Sequence, residues 1–136
     1  MRYMLLCYDD ADYWEQAGKA VHSEAIQEAV QLTHELNAKG QYRIAAPLHP
    51  VSTATSVRVR DGKRIVTDGP FAETREILGG FYLIDAADLD EAIRIAERHP
   101  GARVGTVEIR PVREVDGLPT ERLDGTTNVE NQMTKE

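Results

Sequence analysis

Two residues are candidates for general acid–base chemistry, His22 and Asp68. His22 falls at the centre of the apolar side of an amphipathic helix predicted from about Ala20 to Lys39. An imidazole has an ordinary pKa of about 6.5, so it can take and give a proton near neutral pH. An inward imidazole is either a core histidine satisfied by a strand or loop carbonyl, or a group that faces an internal cleft.

Asp68 ends a predicted hairpin whose turn is Asp61-Gly62, a dipeptide that favours a type I′ turn between β-branched runs. A two-residue turn pairs Thr55 with Asp68 and puts Asp68 on the more apolar hairpin face, which we expect to point inward. There the carboxylate would orient His22 or share its proton in one cleft. The alternative is an Asx-type turn, in which Asp68 caps the Gly69-Pro70 backbone and has no chemical role.

Four further residues are candidate substrate contacts. Phe71 follows the same turn and would stack on a ligand or plug the core, while Glu73 and Arg75 lie in a polar loop that rims a cleft or is simply solvated. His49 lies in a loop made rigid by Pro47 and Pro50. It is either a third site residue or an ordinary exposed histidine.

Several other kinds of site are disfavoured. The sequence has no HExxH, paired CxxC, P-loop, GxGxxG or GxSxG pattern, and its four histidines lack metal-ligand spacing. We therefore expect no metal and no cofactor. Cys7 lies inside a strand expected to be buried, which argues against a nucleophile. His34 on the polar helix face and His99 at a helix end are assigned no chemical role.

Composition limits the class of protein further. The chain has 136 residues, 41% hydrophobic and 29% charged, which fits one globular domain. Of its net charge of −7, residues 114–136 carry −4, so no basic patch favours nucleic acid. One cysteine excludes an internal disulfide, and the apolar start is too short for a signal sequence or a membrane span. We expect a cytoplasmic protein that does not enter a membrane.

These residues must be positioned by an α+β sandwich. After a first strand (Arg2–Tyr8), Asp9 to Gly18 is predicted to be a polar loop, and Leu89, Ala92, Ile93 and Ala96 are predicted to form the inner face of a second helix. The further predicted strands are Tyr42–Ala46, a hairpin of Thr53–Arg60 with Lys63–Asp68, Phe81–Ile84 and Arg103–Val112. The order is a ferredoxin-like βαββαβ sandwich with an extra hairpin, in which the first and third core strands are central. Those two strands are apolar on both faces and helices cover only one, so we expect a homodimer packed sheet to sheet.

The chain also resembles the DGPF-motif family, within the YCII-related superfamily, over residues 1–113. The matching stretches are Arg2–Leu6, Thr53–Arg58, Val66–Thr74 (which contains Asp68-Gly69-Pro70-Phe71), Leu78–Asp85 and Val107–Pro111. The resemblance implies a dimeric α+β barrel with a cleft near each interface, and some superfamily members have a suspected His–Asp pair there. DGPF members often occur beside extracytoplasmic-function sigma factors, which implies a regulatory or stress context. Residues 114–136 lie outside the resemblance and form a polar tail that we expect to be flexible.

Three hypotheses of function follow. The first is a cofactor-independent acid–base enzyme that uses His22 and Asp68 on a small polar or carbonyl metabolite. The second is a non-catalytic homodimer that binds a small molecule or contacts a sigma factor. The third is a dimer whose inward polar residues serve packing alone.

Overall fold

Regular alternation of buried and half-buried residues marks the first strand, β1 (Arg2–Asp9). The structure, a computed structural model, describes residues 1–119. The elements after β1 are α1 (Ala11–Ala17), α2 (Lys19–Ala38), β2 (Tyr42–Pro47), a 3-10 turn (Val51–Thr53), β3 (Thr55–Arg60), β4 (Lys63–Asp68), β5 (Ile77–Asp85), α3 (Leu89–Glu97), α4 (Gly101–Val104) and β6 (Thr106–Pro111).

Four of the strands form one antiparallel sheet with the order β2-β5-β1-β6. Leu5 sits at its centre, opposite Tyr82 of β5 on one side and Ile109 of β6 on the other. This is the ferredoxin-like order, and the prediction that the first and third core strands are central is confirmed. The fold class is α+β.

The hydrophobic core lies between the sheet and the helices. Its buried residues are Tyr3, Leu5 and Cys7 of β1, Tyr82 and Ile84 of β5, Ala86, Leu32 and Leu36 of α2, and Ala92, Ile95 and Ala96 of α3. The apolar side chains on the opposite face of the two central strands, here called the open face, are Met4, Leu6, Tyr8, Phe81 and Leu83, all partly exposed. One face of the sheet is thus covered by helices, while no element of the described chain covers the other.

The hairpin β3–β4 follows the predicted register and turn. Thr55 pairs with Asp68 and Val57 with Val66, and both turn residues, Asp61 and Gly62, have positive φ (53° and 72°) as a type I′ turn requires. The expectation of an inward face is wrong within one chain. Val57 is 63% exposed and Val66 is 53% exposed, because the hairpin extends away from the four-stranded sheet as a separate two-stranded sheet.

Two predictions near the helices also need correction. The predicted loop from Asp9 to Gly18 contains α1, because the Asp10 carboxylate caps it by accepting the Asp12 N–H at 2.9 Å. The inner face of α3 contains Ala92 and Ala96 as predicted, but Ile95 is buried beside them, while the predicted Leu89 and Ile93 are exposed. The register of this helix against the sheet, set by packing, was not visible in its own pattern.

The last strand begins later than predicted. The stretch Gly101–Val104 is the short helix α4, and β6 starts only at Thr106, where Gly105 lets the chain pass close to the backbone of Tyr8. The expectation of a flexible tail falls largely on residues 120–136, which lie outside the described residues. In the described part of the chain, no helix is long and apolar enough to cross a membrane.

Candidate active site

A cleft of about 300 Å³ lies between α2 and the helix-facing side of the sheet. Its lining draws on β1, α1, α2, β2, β5 and the segment that joins α3 to α4. The lining residues are Cys7, Asp9, Trp14, His22, Ala25, Ile26, Ala29, Val30, Thr33, Tyr42, Ala45, Ala46, Pro47, Gly79, Gly80, Phe81, Tyr82, His99, Pro100 and Gly101. Most of these are apolar or aromatic, and the lining, drawn from residues 1–119, contains no lysine or arginine.

Asp9 supplies the carboxylate of the cleft. It is the last residue of β1, so the central strand delivers it to the point where the sheet ends and α1 begins. The indole Nε1–H of Trp14 donates to its Oδ2 at 2.6 Å. A methyl group at Gly79 would lie 3.4 Å from Asp9 Oδ1, so the glycine keeps the approach to that oxygen open.

Trp14 connects Asp9 to His22. Its indole stacks on the His22 imidazole with ring centroids 5.0 Å apart and planes inclined by 26°. His22 stands in the first turn of α2 and is exposed to solvent at the mouth of the cleft. The result is a row of carboxylate, indole and imidazole along one wall.

His99 is less exposed to solvent than His22 and lines the same cleft. Its Nδ1 accepts the Gly101 backbone N–H at 2.9 Å, and its Nε2 lies 3.9 Å from the Cys7 sulfur. The edge of Tyr82 meets the ring at a centroid distance of 5.2 Å. Burial lowers the pKa of His99, and the negative charge of Asp9 only partly opposes this. The imidazole is therefore neutral at physiological pH.

The other titratable groups at the floor are held in their neutral forms. Burial, reinforced by the charge of Asp9, raises the pKa of Cys7 to about 12, so the residue stays a thiol. Burial also raises the pKa of Tyr82 well above its usual range. Among residues 1–119, Asp9 is the one carboxylate in the lining of this cleft.

The structure places the two sequence-predicted catalytic residues apart. His22 lines the cleft, whereas Asp68 is exposed at the end of β4 and is not part of that lining. The turn after Asp68 is held by the hairpin, since Ala54 O accepts the Gly69 N–H and Ser56 Oγ donates to Gly69 O. Within one chain, the carboxylate that shares the cleft with His22 is Asp9.

The predicted substrate contacts lie elsewhere as well. His49 and Phe71 line a second hollow of about 540 Å³ together with Tyr8. Glu73 and Arg75 line neither hollow, and Arg75 approaches Asp10 at 3.7 Å with a side chain that is 92% exposed.

Sequence reasoning missed Asp9, Trp14 and His99. The available signals were an acidic residue at the end of a strand buried on both faces, and the one tryptophan of the chain within six residues of it in sequence. His99 gave no such signal, because its role depends on the Cys7 strand passing beside it. Within residues 1–119, no group of three or more His, Cys, Asp or Glu is arranged to hold a metal ion.

Comparisons with known proteins agree with the fold. The sequence profile of the YCII-related domain matches residues 1–116. An uncharacterized protein, R00369 of Rhizobium meliloti (strain 1021), is 37% identical over 114 residues, which cover 82% of this chain and 92% of that protein. Among solved structures, the 5-chloro-2-hydroxyhydroquinone dehydrochlorinase TftG of Burkholderia phenoliruptrix AC1100, in complex with 2,5-dihydroxybenzoquinone, is similar with a TM-score of 0.50. That match has 12% identity and covers 85% of this chain and 96% of TftG.

Proposed function

The chain belongs to the YCII-related family, and from that premise we propose that it is a cytoplasmic, cofactor-independent acid–base enzyme. We place it in the DGPF branch on the signature Asp68-Gly69-Pro70-Phe71. Its substrate is a small, uncharged ring compound that carries hydroxyl or carbonyl oxygens. The reaction is a proton transfer to and from that substrate in the cleft of Asp9 and His22.

The observation that carries the proposal is the row of Asp9, Trp14 and His22 along one wall of a mostly apolar cleft. A carboxylate and an imidazole in one cavity can serve as a base and an acid in the same reaction cycle. The Trp14 indole occupies Oδ2 of Asp9, so we assign the substrate contact to Oδ1, the oxygen nearest Gly79. This arrangement fixes which carboxylate oxygen meets the substrate.

The two groups have different access to water, which suggests their roles. Asp9 lies inside the cleft and is suited to take a proton from a bound hydroxyl or an activated carbon. His22 stands exposed at the mouth, where it can exchange protons with solvent and return one to the product. The pair thus replaces the predicted pair of His22 and Asp68 within one chain.

The lining also limits the substrate. Without lysine or arginine in the lining, a phosphate or carboxylate would meet the Asp9 charge with no compensating cation. The lining includes the aromatic side chains of Trp14 and Tyr82, and aromatic walls suit a ring. The volume of about 300 Å³ suits a small, single-ring molecule.

The TftG comparison supports the choice of chemistry. That protein removes the elements of HCl from a chlorinated hydroxyhydroquinone and binds 2,5-dihydroxybenzoquinone. At 12% identity the likeness concerns the fold, so no residue role is carried over. The same substrate is nevertheless a rational first compound to assay, because proton removal from a ring hydroxyl is the chemistry proposed here.

The test has a turnover readout and a binding readout. Release of chloride from 5-chloro-2-hydroxyhydroquinone is measured with the wild type, Asp9→Asn and His22→Gln. Binding of neutral phenol, anionic benzoate and cationic benzylamine is measured by the fluorescence of Trp14, the only tryptophan in the chain and a cleft residue. We expect phenol to bind better than benzoate, and turnover to fall by about 100-fold or more in either variant.

Asp68→Asn is the matched control, because it removes a carboxylate from the hairpin and leaves the cleft lining intact. If Asp68→Asn abolishes turnover and Asp9→Asn does not, the cleft assignment is wrong. Phenol binding without turnover of this compound or of related hydroxylated rings would support the alternative, a non-catalytic binding or regulatory module.

We also propose a homodimer in which a second copy covers the open face and the hairpin valines. An isolated two-stranded hairpin is marginal in water, yet every residue of β3 and β4 except Ser56 is exposed. Val57→Asp puts a charge on the valine face, and Arg58→Asp on the other face is the control. We expect sedimentation equilibrium to show dissociation for Val57→Asp alone. A wild type that stays monomeric at high concentration would contradict the dimer.

A further inference from the structure

We propose that His99 is a fixed hydrogen-bond donor that binds a carbonyl or hydroxyl oxygen of the substrate through its Nε2–H. This inference deepens the proposed function and rests on it, since it concerns the same cleft. The sequence patterns gave His99 no chemical role, and the inference assigns one.

Neutral His99 can carry its proton on either Nδ1 or Nε2. A neutral imidazole carries one N–H, and the nitrogen that accepts a hydrogen bond must be the other one. The Gly101 backbone N–H donates to Nδ1 at 2.9 Å. The proton of neutral His99 therefore sits on Nε2.

The His99 ring is held in place by contacts with its neighbours. Gly101 opens α4, and a methyl group on it would lie only 2.9 Å from Nδ1, so the backbone and the ring are in close contact. Tyr82 meets the ring edge-on from the sheet. The imidazole is held by a backbone amide on one side and by a strand on the other, which is the preorganisation that a binding group needs.

The Nε2–H group of His99 has a weak acceptor beside it. Within residues 1–119, its partner is the Cys7 sulfur at 3.9 Å, and a thiol is a weak acceptor. Because His99 lines the cleft, a donor with only this weak partner is available for a stronger acceptor such as a ligand oxygen. The nearby Asp9 carboxylate would then act on one part of the ring while His99 holds an oxygen on another.

The charge state of the His99 imidazole also suits a hydrogen-bond donor to an uncharged oxygen. Burial keeps the ring neutral, while Asp9 and Glu28 act against this and Arg103 acts with it. A neutral donor can bind an uncharged carbonyl without the desolvation cost that a buried imidazolium would carry. It can also stabilise negative charge that develops on that oxygen when Asp9 removes a proton.

The experiment uses an isosteric probe pair, cyclohexanone and methylenecyclohexane, which differ in having or lacking an oxygen acceptor. Binding to the wild type, His99→Gln and His99→Leu is measured by Trp14 fluorescence. Glutamine retains an N–H near the Nε2 position, whereas leucine fills similar space without a donor. We expect the wild type to prefer cyclohexanone by roughly 3- to 10-fold, His99→Gln to keep part of that preference and His99→Leu to lose it.

A second measurement does not depend on any ligand. Nitrogen-15 NMR of labelled histidine in the wild type reports which ring nitrogen of His99 is protonated, and we expect Nε2. A proton on Nδ1 overturns the inference. So does a preference for cyclohexanone over methylenecyclohexane that is the same in the wild type and in His99→Leu.

The two proposals fail separately. Turnover of 5-chloro-2-hydroxyhydroquinone that is equal in the wild type and His99→Leu removes the role of His99 and leaves the acid–base enzyme intact. A carbonyl preference that depends on His99, without turnover of any ring compound, supports the donor and rejects the enzyme. Urea unfolding of each variant shows that the effects do not arise from loss of the fold.

Discussion

The cleft and the hairpin differ in how their side chains are partnered. In the cleft, Asp9, Trp14 and His22 hold one another by a hydrogen bond and a ring stack, and His99 is fixed by a backbone amide. Along the hairpin β3–β4 the side chains are largely exposed, although the backbone register is complete. The Asp68-Gly69-Pro70-Phe71 segment is at the base of the hairpin, whereas the groups suited to chemistry lie in the cleft.

This difference indicates that the two regions have different tasks. A group that must take or give a proton needs neighbours that fix its position and its charge state, and the cleft supplies them. A surface that must meet another copy of the chain needs exposed apolar side chains on a regular frame, and the hairpin supplies these. In the function proposed above, the Asp68-Gly69-Pro70-Phe71 turn shapes the hairpin base and the cleft is the site of the reaction.

The largest effect expected from this comparison is on stability. Ile84 is fully buried in β5 and Val57 is 63% exposed on the hairpin. Replacing Ile84 by alanine leaves a cavity in the core and should lower the free energy of unfolding by about 2–5 kcal/mol. Val57→Thr keeps a β-branched side chain, so at low protein concentration it should change stability by less than about 0.5 kcal/mol. Urea unfolding measures both.

Protein concentration sharpens this test. If a second copy covers the hairpin, the cost of Val57→Thr should grow as concentration rises, because association stabilises the folded state by mass action. The cost of Ile84→Ala is set mainly inside one chain. A large, concentration-independent cost for Val57→Thr would mean that the hairpin packs on its own body, and the contrast between the two regions would disappear.

The hairpin register was easier to predict from the sequence than the residues of the cleft. The hairpin register and turn were predictable because Asp61-Gly62 sets both locally. The sheet order followed from two strands that are apolar on both faces. The cleft was predicted only at His22, because Asp9 and His99 are 90 residues apart and meet through packing alone. The hairpin was expected to fold inward because amphipathic alternation shows which face is apolar and cannot show what covers it.

The second prediction concerns pH and distinguishes the half-buried imidazole of His99 from the exposed histidines. An unfolded chain protonates a histidine near pH ~6.5, whereas burial lowers the pKa of His99 in the folded chain. The unfolded state therefore binds more protons in the window below about pH 6.5, so stability is highest above it and falls as the pH drops through the folded pKa. His99→Gln should reduce this loss.

The control is His34→Gln, the same substitution at a solvent-exposed histidine of α2. Urea unfolding at pH values from neutral to mildly acidic gives the slope for each protein. Because the field of Asp9, Glu28 and Arg103 also acts on His99, the quantity to compare is the difference between each variant and the wild type at each pH. An identical slope in the wild type and His99→Gln would show that the imidazole takes up its proton equally in both states.

The smallest expected effect is at the contact that joins the two regions. Arg75, from the loop after the signature turn, approaches Asp10 at 3.7 Å, and Asp10 lies next to Asp9 and caps α1. The arginine side chain is 92% exposed, so the pair is screened by water and worth little. Arg75→Gln should therefore leave stability within about 0.5 kcal/mol of the wild type and leave phenol binding in the cleft unchanged.

A contrary result would be informative. Asp10→Ala removes the same ion pair but also the cap of α1, the helix that carries Trp14 over Asp9, so it should weaken phenol binding where Arg75→Gln does not. If Arg75→Gln weakened binding as much as Asp10→Ala, the signature loop would act on the cleft through its charge. The sequence-based hypothesis of one site containing both Arg75 and His22 would then regain support, and the division between a hairpin for association and a cleft for chemistry would be wrong.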